Sequence, residues 1–397
     1  NHNMITISGL SANTTYKYRV FGVTKGLYNF ATEEFYGENP PRYFSLTDYV
    51  YNVKADNNKA NYTAVPTNTI AEGEKVFSFK TALATDSNDA FEFLATTDPQ
   101  GTLQSNYDVT KKVFDALTAD NRFKNYSFIV NGGDMTDNGK NYLQWSLALD
   151  TMVEYYANTT LFMTAGNHES GANSFKNFLT QTAPDNQDVT DGMYYSLTYG
   201  NTHFVVLNTN DANGKDGLGA QQLAWLKADL EANNSKWTIV LLHKSLYSVG
   251  SHTNDAEVVK MREQLTKVFA EYGVDVVIQG HDHTYSSTNF IDANGKGRFG
   301  ATNKDGYVVN KDGVMYMTIG TIGNKYYEYL GNEGFAGLID DGRTIAETLS
   351  YQTFAYFSVD GDKLTVKDVK YVNGKLEVFG EIKMTKELGD IAAATKA

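Results

Sequence analysis

The sequence predicts an α/β protein of four layers, in which two mixed sheets pack face to face between helices and a partial β-sandwich segment precedes them. The first observation behind this prediction lies after residue 90, where short apolar runs alternate with amphipathic segments. Strands and helices in alternation are typical of layered α/β domains. The second lies in residues 351–384, which predict two or three strands joined by DGDK and NGK turns. These strands are expected to complete a second sheet.

Six apolar runs of the alternating region predict buried strands, and four segments between them carry apolar residues at helical spacing. We predict the strands within 91–98, 126–134, 160–168, 203–210, 237–243 and 274–283, and the helices within 107–119, 140–157, 223–230 and 258–269. The chain is 41% hydrophobic and 13% aromatic, which is enough apolar material for a core of this size.

The N-terminal segment differs in character, since residues 4–20 alternate as a strand, a turn and a strand do. They resemble the second half of a fibronectin type III domain, and residues 75–81 resemble its last strand. The likeness to the tyrosine corner of that domain lies in Leu10, Thr14, Tyr16, Tyr18 and Val20. Residues 22–73 are expected to be an insertion. An ordinary β-hairpin is the alternative for the whole segment.

The length of 397 residues fits one large domain and a small one. We expect a partial fibronectin-like domain over 1–84, the α/β domain over 88–385 and a tail or linker over 386–397. Because residue 1 is Asn, the segment is expected to derive from a longer precursor. The chain has no cysteine, which excludes disulfides, thiolate metal ligands and cysteine nucleophiles. With the Tyr- and Asn-rich composition, this favours a bacterial extracellular or cell-surface protein.

Charge and hydropathy narrow the classes of partner. The chain has 47 acidic and 34 basic residues, a formal charge of −13, so it has little attraction for polymeric nucleic acid. No apolar run approaches the roughly 20 residues of a membrane-spanning helix. A small phosphorylated ligand stays compatible with this charge if bound metal cations reverse the local field. The sequence indicates no oligomeric state.

Metal-capable side chains follow five of the predicted strands, within a few residues of the carboxyl end of each strand. Open α/β sheets place their ligand sites at these ends, so we expect the side chains to converge on one rim. They are Asp98, Asp134, Asn167, His243, His281 and His283. Because one residue separates His281 from His283, both reach the rim only from an irregular turn. Gly280 is expected to supply the backbone freedom for that turn.

Several of these residues also have a structural explanation when they are taken alone. Asp98 and Asp134 could cap helix N-termini, and Asn167 could occupy a left-handed turn. His203, at the start of a predicted strand, is expected to be structural. No such explanation accounts for five strands that end alike, so a metal centre is the preferred interpretation.

In their order along the chain, these residues resemble the five signature blocks of the calcineurin-like metallophosphoesterases. The blocks are Asp98-Pro99-Gln100, Gly133-Asp134, Gly166-Asn167-His168-Glu169, His243 and Gly280-His281-Asp282-His283. The fibronectin-like segment and the flanking runs at 203–209, 221–230 and 280–285 are similar to those of purple acid phosphatases. The resemblance covers about residues 5–385. It implies the α/β/β/α metallophosphoesterase sandwich and a phosphoric ester hydrolase.

The resemblance implies two metal ions bridged by Asp134, with iron, zinc or manganese as candidates. The first ion would be bound by Asp98 and His283, and the second by Asn167, His243 and His281. A metal-bound hydroxide would attack phosphorus while the ion pair holds the phosphate oxygens.

The resemblance also implies roles for two further histidines. His168 would donate the proton to the leaving oxygen, oriented by Glu169 or by a neighbouring backbone group. His252, in a loop rich in Gly, Ser and Asn, would line the substrate pocket. An exposed loop histidine is the alternative for His252.

The chain departs from its apparent family at the first metal ion. Purple acid phosphatases carry a Tyr three residues after the bridging Asp, and its bond to ferric iron gives their colour; here that position is Asp137. The wider superfamily supplies a His two residues after the first Asp; here that position is Gln100. Either the Gln100 amide oxygen or water takes this place. We predict a colourless protein whose first site is rich in oxygen and weaker than the second.

Two loops allow alternative interpretations. Residues 211–217 resemble part of a calcium-binding loop, but Gln222 stands where a bidentate Glu is required, so a surface turn is expected. The Gly-rich segment 320–329 either borders the pocket or forms a structural turn. If it borders the pocket, Asn324 and either Tyr326 or Tyr327 would meet the substrate.

The leading hypothesis for function is phosphomonoester hydrolysis, for phosphate scavenging outside the cell. Phosphodiester or nucleotide hydrolysis uses the same metal ions and differs only in the pocket walls. A non-catalytic surface module is the alternative outside the enzyme class, and the complete set of ligands speaks against it.

Overall fold

The computed structural model describes residues 6–19, 76–171, 193–211, 217–309 and 313–387, and in addition four short strands between residues 27 and 61. The chain divides into two compact units, Thr15–Phe79 and the remainder. Among the helices of the described residues, none has the length and apolar character required to cross a membrane.

The strands are numbered in chain order. They are β1 (Thr15–Tyr18), β2 (Leu27–Asn29), β3 (Glu34–Tyr36), β4 (Lys54–Asp56), β5 (Lys59–Asn61), β6 (Phe77–Lys80), β7 (Phe91–Thr96), β8 (Phe128–Asn131), β9 (Thr160–Met163), β10 (Tyr195–Tyr199), β11 (Thr202–Val206), β12 (Trp237–Leu241), β13 (Val276–Gln279), β14 (Tyr285–Ser287), β15 (Phe290–Ile291), β16 (Gly297–Arg298), β17 (Ala301–Thr302), β18 (Val308–Val309), β19 (Met315–Ile319), β20 (Gln352–Asp360), β21 (Lys363–Val372) and β22 (Lys375–Thr385).

The smaller unit contains three pairs of strands, β1 with β6, β2 with β3 and β4 with β5. Aromatic side chains face each other across the first pair. The ring centroids of Tyr16 and Phe79 lie 5.8 Å apart, and those of Tyr18 and Phe77 lie 5.6 Å apart. Such cross-strand pairs stabilise a sheet. The strand expected within residues 75–81 is present, while the fibronectin likeness stays a prediction. Most of the expected insertion lies outside the described residues.

The first large sheet has eight strands in the order β17-β18-β22-β21-β20-β7-β8-β9. β7, β8 and β9 are parallel. On the other side of β7, the pairs β7–β20, β20–β21 and β21–β22 are antiparallel, and β22 pairs with β18 in parallel. The three strands predicted within 351–384 are therefore confirmed. Their expected place in the second sheet is wrong, because β20 pairs directly with β7 and places Phe357 opposite Phe93.

The second large sheet has six strands in the order β10-β11-β12-β13-β19-β14. Its four central strands are parallel, and both edge strands are antiparallel to their neighbours, so both large sheets are mixed as predicted. The strands that precede the predicted ligands divide between the sheets. β7, β8 and β9 belong to the first, and β12 and β13 to the second. Both sheets therefore contribute to the rim.

The helices cover the outer faces of the two sheets. They are α1 (Gln104–Ala119), α2 (Tyr142–Thr151), α3 (Val153–Tyr156), α4 (Ala220–Ala232) and α5 (Ala256–Glu271), with one-turn 3-10 helices at Asn167–Glu169, Thr209–Asp211, Ser251–Asn254, Glu333–Phe335 and Asp341–Arg343. Phe114 of α1 packs in one cluster with Phe354 of the first sheet, and Leu265 of α5 in another with Val240 of the second. The predicted α/β/β/α layers are confirmed. The helix expected over 140–157 is divided at Met152, whose ψ of 9° leaves the helical region.

The main core lies between the two sheets and is built from aromatic rings. Phe93 stacks on Phe357 with ring centroids 4.5 Å apart and meets Phe204 of the second sheet edge-on at 5.3 Å. All three side chains are buried. Burial of each ring stabilises the fold by about 1.5–3 kcal/mol. This shared core fixes the carboxyl ends of the two sheets relative to each other.

A buried ionic cluster also joins the sheets. The Arg343 guanidinium donates to both carboxylate oxygens of Asp368 on β21, at 2.7 and 2.8 Å. The Tyr285 hydroxyl of β14 donates to the same carboxylate at 2.7 Å. Two-point contact of this kind is the strong form of a charged hydrogen bond. We call Arg343, Asp368 and Tyr285 the inter-sheet cluster.

Candidate metal centre

Asp98 and Asp134 follow β7 and β8, and both have a left-handed backbone with φ of 51°. Their loops are hydrogen-bonded to each other, since the Asp98 N–H donates to the Gly133 carbonyl at 3.1 Å. Both side chains are buried. The helix-cap explanation is wrong for both residues, because α1 is capped by Leu103 and α2 by Asn141.

Left-handed backbone is concentrated at this rim. Seven non-glycine residues of the described chain have a positive φ, and four of them belong to the predicted site: Asp98, Gln100, Asp134 and His281. This conformation is disfavoured by roughly 1–2 kcal/mol for a residue with a Cβ, and such residues cluster at functional sites. Asn167 is not among them, so the left-handed turn suggested for it is wrong.

Asp98 and His283 meet at one side of the rim. The His283 Nε2 lies 3.2 Å from the Asp98 Oδ1, and both side chains are fully buried. The His283 Nδ1–H donates to the Lys325 carbonyl at 2.5 Å, which directs Nε2 towards the rim. The His281 N–H donates to the Asp98 Oδ2 at 3.1 Å. The structure thus brings together the two residues predicted to bind the first ion.

The residues predicted to bind the second ion converge beside this pair. The His243 Nε2 lies 2.9 Å from the Asn167 Oδ1 and 3.3 Å from the Asp134 Oδ2. The His243 Nδ1–H donates to the Gly132 carbonyl at 2.7 Å, which leaves Nε2 facing the rim. Ligand atoms of Asp134, His243 and His281 all lie within 4.8 Å of one another. The rim therefore contains two neighbouring carboxylate–imidazole contacts, Asp98 with His283 and Asp134 with His243.

Burial and neighbouring charges shift the pKa values of the rim residues in opposite directions. Burial alone would raise the pKa of Asp134, but the positive charge and hydrogen bond of His243 lower it overall. Burial alone would lower the pKa of His243, but the charge of Asp134 raises it to about 9. Burial and the positive charge of His243 hold the pKa of His281 well below its ordinary value. A metal ion that binds here displaces the proton of His243.

Glu169 is fully buried behind the rim. Its carboxylate accepts hydrogen bonds from the N–H groups of Asp134, Gly166 and Thr136 at 2.9, 2.8 and 3.2 Å. Burial, together with the negative charge of Asp134, raises the pKa of Glu169 to about 8. Glu169 therefore ties the loop after β8 to the loop after β9, a role that its place in the sequence does not reveal.

The His168 ring is oriented by a backbone group, the second of the two alternatives predicted for it. Its Nδ1–H donates to the Asp137 carbonyl at 2.5 Å. Its Nε2 lies 2.5 Å from the Gln100 Nε2, which can only donate. These two contacts suit the tautomer with a proton on Nδ1. About a quarter of the His168 side chain is exposed, 24%, so that the ring can reach a bound ligand.

Gln100 leaves a buried oxygen without a partner. Its side chain is only 5% exposed, and Oε1 accepts no hydrogen bond from the described residues. An unpaired buried polar group of this kind costs about 1–3 kcal/mol. Amide oxygens are ordinary ligands of hard cations. Gln100 thus fits the place of the missing histidine ligand at the first ion.

Two glycines allow the loops to approach each other. A Cβ on Gly166 would collide with the Asp134 Oδ1, and one on Gly280 with the Thr97 Oγ1. The predicted role of Gly280 needs correction. Close approach requires the glycine there, whereas the left-handed φ of the turn, 69°, falls on His281.

His252 lies at the open side of the rim. The centroid of its ring is 4.4 Å from that of His281 and 5.6 Å from that of Tyr327. Its Nδ1 lies 3.0 Å from the Asp255 Oδ2. His252 thus stands beside a predicted ligand, and its contact with substrate stays a prediction. Asp255 was not predicted from the sequence, although its position three residues after His252 was a usable signal.

The segment 320–329 borders the rim through one of its two tyrosines. The Tyr327 ring stacks on His283, with centroids 4.3 Å apart and an interplanar angle of 5°. Burial and the negative charge of Asp98 raise the pKa of Tyr327 to about 12. The Tyr326 hydroxyl instead accepts a hydrogen bond from Gln352 at 2.6 Å. Exposed Asn324 pairs with Asn106 at 3.3 Å.

Gln279 is a second buried clamp that sequence reasoning missed. Its Oε1 accepts from the Leu246 N–H at 2.7 Å, and its Nε2 donates to the Tyr247 carbonyl at 3.3 Å. Gln279 ends β13, so it ties the loop after His243 to the strand that leads to His281. Its polar side chain at the end of an apolar strand was the available signal.

Two further predictions concern residues away from the rim. His203 is buried and its Nε2 lies 2.7 Å from the Asp229 Oδ2, in agreement with a structural role. Gln222 donates to the Asp211 Oδ2 at 2.8 Å, so the amide occupies the carboxylate that a calcium ion would need. Residues 212–216 of that loop lie outside the described residues.

Comparison with known proteins shows which family this region resembles. Residues 91–285 match the family model described as calcineurin-like phosphoesterase. The match begins with β7 and ends just after His283, so it contains every predicted ligand. Residues 91–285 are therefore similar to a calcineurin-like phosphoesterase domain, and this likeness supports a phosphoric ester hydrolase.

Several curated relatives of this chain are named purple acid phosphatases. Purple acid phosphatase 23 of Arabidopsis thaliana is 31% identical over 169 residues, which cover 40% of this chain and 33% of that protein. Purple acid phosphatase 15 of the same plant is 29% identical over 175 residues, which cover 42% and 30%. The chain thus spans about a third of the length of these curated relatives.

A solved structure shares the fold. The purple acid phosphatase from yellow lupin (Lupinus luteus) seeds superimposes with a TM-score of 0.62 at 17% identity, over 81% of this chain and 58% of that one. The structure of PhoD superimposes with a TM-score of 0.57 at 13% identity, over 79% and 73%. At these identities the likeness shows the fold alone, two mixed sheets between helices.

Proposed function

We propose that this protein hydrolyses phosphate esters with two metal ions, and that phosphomonoesters are its preferred substrates, for phosphate scavenging outside the cell. The observation that carries the proposal is the convergence of Asp134, His243 and His281, with ligand atoms within 4.8 Å of one another. It lies inside residues 91–285, which match the calcineurin-like phosphoesterase family model.

The donor set fits a pair of cations. The first ion would be held by Asp98, His283 and Gln100 Oε1, the second by Asn167, His243 and His281, and both by Asp134. Mixed nitrogen and oxygen ligands suit iron, zinc and manganese. When bound, such a pair supplies Lewis-acid polarisation of the phosphoryl oxygens and an activated water.

His168 would supply the proton for the leaving oxygen. Donation needs a proton on Nε2, where Gln100 now donates at 2.5 Å. If the Gln100 side chain turns its Oε1 to the first ion, the His168 Nε2 becomes free to carry that proton. The Asp137 carbonyl, 2.5 Å from Nδ1, would then stabilise the protonated ring. The same rotation of Gln100 would thus supply an oxygen ligand to the first ion and free the His168 Nε2 for protonation.

The experiment is the hydrolysis of p-nitrophenyl phosphate by protein reconstituted with iron, manganese or zinc. In the Asp134→Asn variant we expect kcat/KM to fall by at least about a thousandfold, because the carboxylate that joins both ions is lost. Asp305→Asn, in an exposed loop, is the matched control and should keep its activity.

Three other outcomes are informative. Faster turnover of bis(p-nitrophenyl) phosphate would identify a diesterase and contradict the monoester preference. Equal activity of the wild type and Asp134→Asn would contradict the two-ion proposal. Absence of turnover with every metal from acidic to alkaline pH would favour the non-catalytic module.

A further inference from the structure

A second group of ligand-type side chains lies outside the proposed dinuclear centre. His252, Asp255 and His281 each place a ligand atom within 4.8 Å of the others. Among the described residues this is one of two such groups, and it shares only His281 with the inner one. The His281 ring lies between the two groups, with its centroid 5.0 Å from that of His243 and 4.4 Å from that of His252.

The spacing within the outer group suits a small divalent cation. Two ligands of a tetrahedral zinc ion, each about 2.0–2.1 Å from the metal, lie about 3.3 Å apart. The His252 Nδ1 and the Asp255 Oδ2 are 3.0 Å apart, so an ion can replace their hydrogen bond with little movement. Two imidazoles and a carboxylate favour zinc or a related transition ion over calcium or magnesium.

The outer group is also accessible from solvent. The side chains of His252 and Asp255 are 34% and 42% exposed, whereas that of Asp134 is 2% exposed. An ion held by three protein ligands, with its remaining position open to water, exchanges more readily than one in the buried centre. Buried Asp282, which accepts from the His252 N–H at 3.1 Å, adds negative charge behind the group.

We propose that His252, Asp255 and His281 form a third cation site, at the mouth of the pocket, that takes zinc or a similar transition ion. Because His281 borders both groups, the outer ion binds beside the second inner ion and adds to the inner pair. An ion at the mouth also stands between the solvent and the inner centre. Excess zinc therefore occupies this site last and obstructs access to the centre. The inference goes beyond the proposed function and does not require turnover.

The test counts bound zinc in the full chain by equilibrium dialysis against rising free zinc. We expect wild-type protein to bind one more ion than the Asp255→Asn variant at the highest zinc concentrations. The weakest zinc ion of the wild type should lose affinity by at least about tenfold in the variant, while the tighter ions stay unchanged. The Asn side chain has the size of Asp and can still accept a hydrogen bond from His252, so the variant should keep the native fold.

His203→Asn is the matched control. His203 and Asp229 form a similar pair at 2.7 Å, but they belong to no group of three ligands among the described residues. The control should bind as many zinc ions as the wild type. Equal zinc counts for the wild type and Asp255→Asn would overturn the third site, even if two inner ions and turnover are present. A missing inner pair with an intact difference of one ion would overturn the proposed function alone.

Discussion

The inter-sheet cluster and the rim are both buried and ionic, but they differ in how their charges are matched. In the inter-sheet cluster one guanidinium covers both oxygens of one carboxylate, and the Tyr285 hydroxyl adds a third donor. At the rim, buried carboxylates crowd together, and Gln100 Oε1 and Asp282 Oδ2 lack hydrogen-bond partners among the described residues. A cluster that neutralises itself stabilises the fold. A cluster that does not is suited to receive a cation from outside.

The largest effect on stability is expected at the inter-sheet cluster. The Asp368→Asn variant leaves the Arg343 charge buried without a counter-charge, which should lower the free energy of unfolding by about 3–5 kcal/mol. Urea unfolding of the metal-free protein measures this change. Asp360→Asn, at the exposed end of β20, is the control and should change it by less than about 0.5 kcal/mol. A loss below about 1 kcal/mol for Asp368→Asn would remove the contrast between the two clusters.

The pH dependence of stability should come from the rim. The pKa of His243 is raised to about 9 and that of Glu169 to about 8, so both groups bind protons more tightly in the folded state. The contribution of Glu169 is lost as the pH rises from about 4.5 to 8, and that of His243 as it rises from about 6.5 to 9, because the unfolded chain releases these protons first. Stability should therefore fall between pH 6.5 and pH 9. The metal-free protein should lose a few kcal/mol over this range.

Thermal unfolding at pH 6.5 and pH 9 tests this expectation, with and without metal. Bound cations replace the protons and should flatten the dependence. If the metal-free protein is equally stable at pH 6.5 and pH 9, the buried charges of the rim are not unbalanced in the way described above.

A smaller effect is expected from Glu169, which joins the two loops of the first sheet. In Glu169→Gln an amide N–H₂ must face backbone donors, so the loops shift and metal affinity should fall by about 10–100-fold. Metal titration followed by protein fluorescence measures the affinity. Glu154→Gln, an exposed change on α3, is the control. Wild-type affinity in Glu169→Gln would show that the ligands need no such clamp.

The layered fold was predictable because its signals are local. Apolar runs of strand length, helical periodicity in α1, α4 and α5, and the DGDK and NGK turns each lie within a short stretch of sequence. The sheet to which β20, β21 and β22 belong was not predictable, because strand pairing depends on contacts between residues more than 250 positions apart, such as Ala355 with Ala95. The division of α2 from α3 at Met152 likewise has no local breaker residue.

By itself, the sequence determined which residues can bind metal and that they follow strands, because residue type and strand periodicity are properties of the chain. Only the tertiary structure decided which of them meet. The pairing of Asp98 with His283 and of Asp134 with His243 needs loops from both sheets to close over one core. The left-handed backbone at Asp134, the clamp by Glu169 and the position of Asp255 beside His252 arise in the same way. Packing of distant segments holds side chains and backbone where local preference alone would not place them.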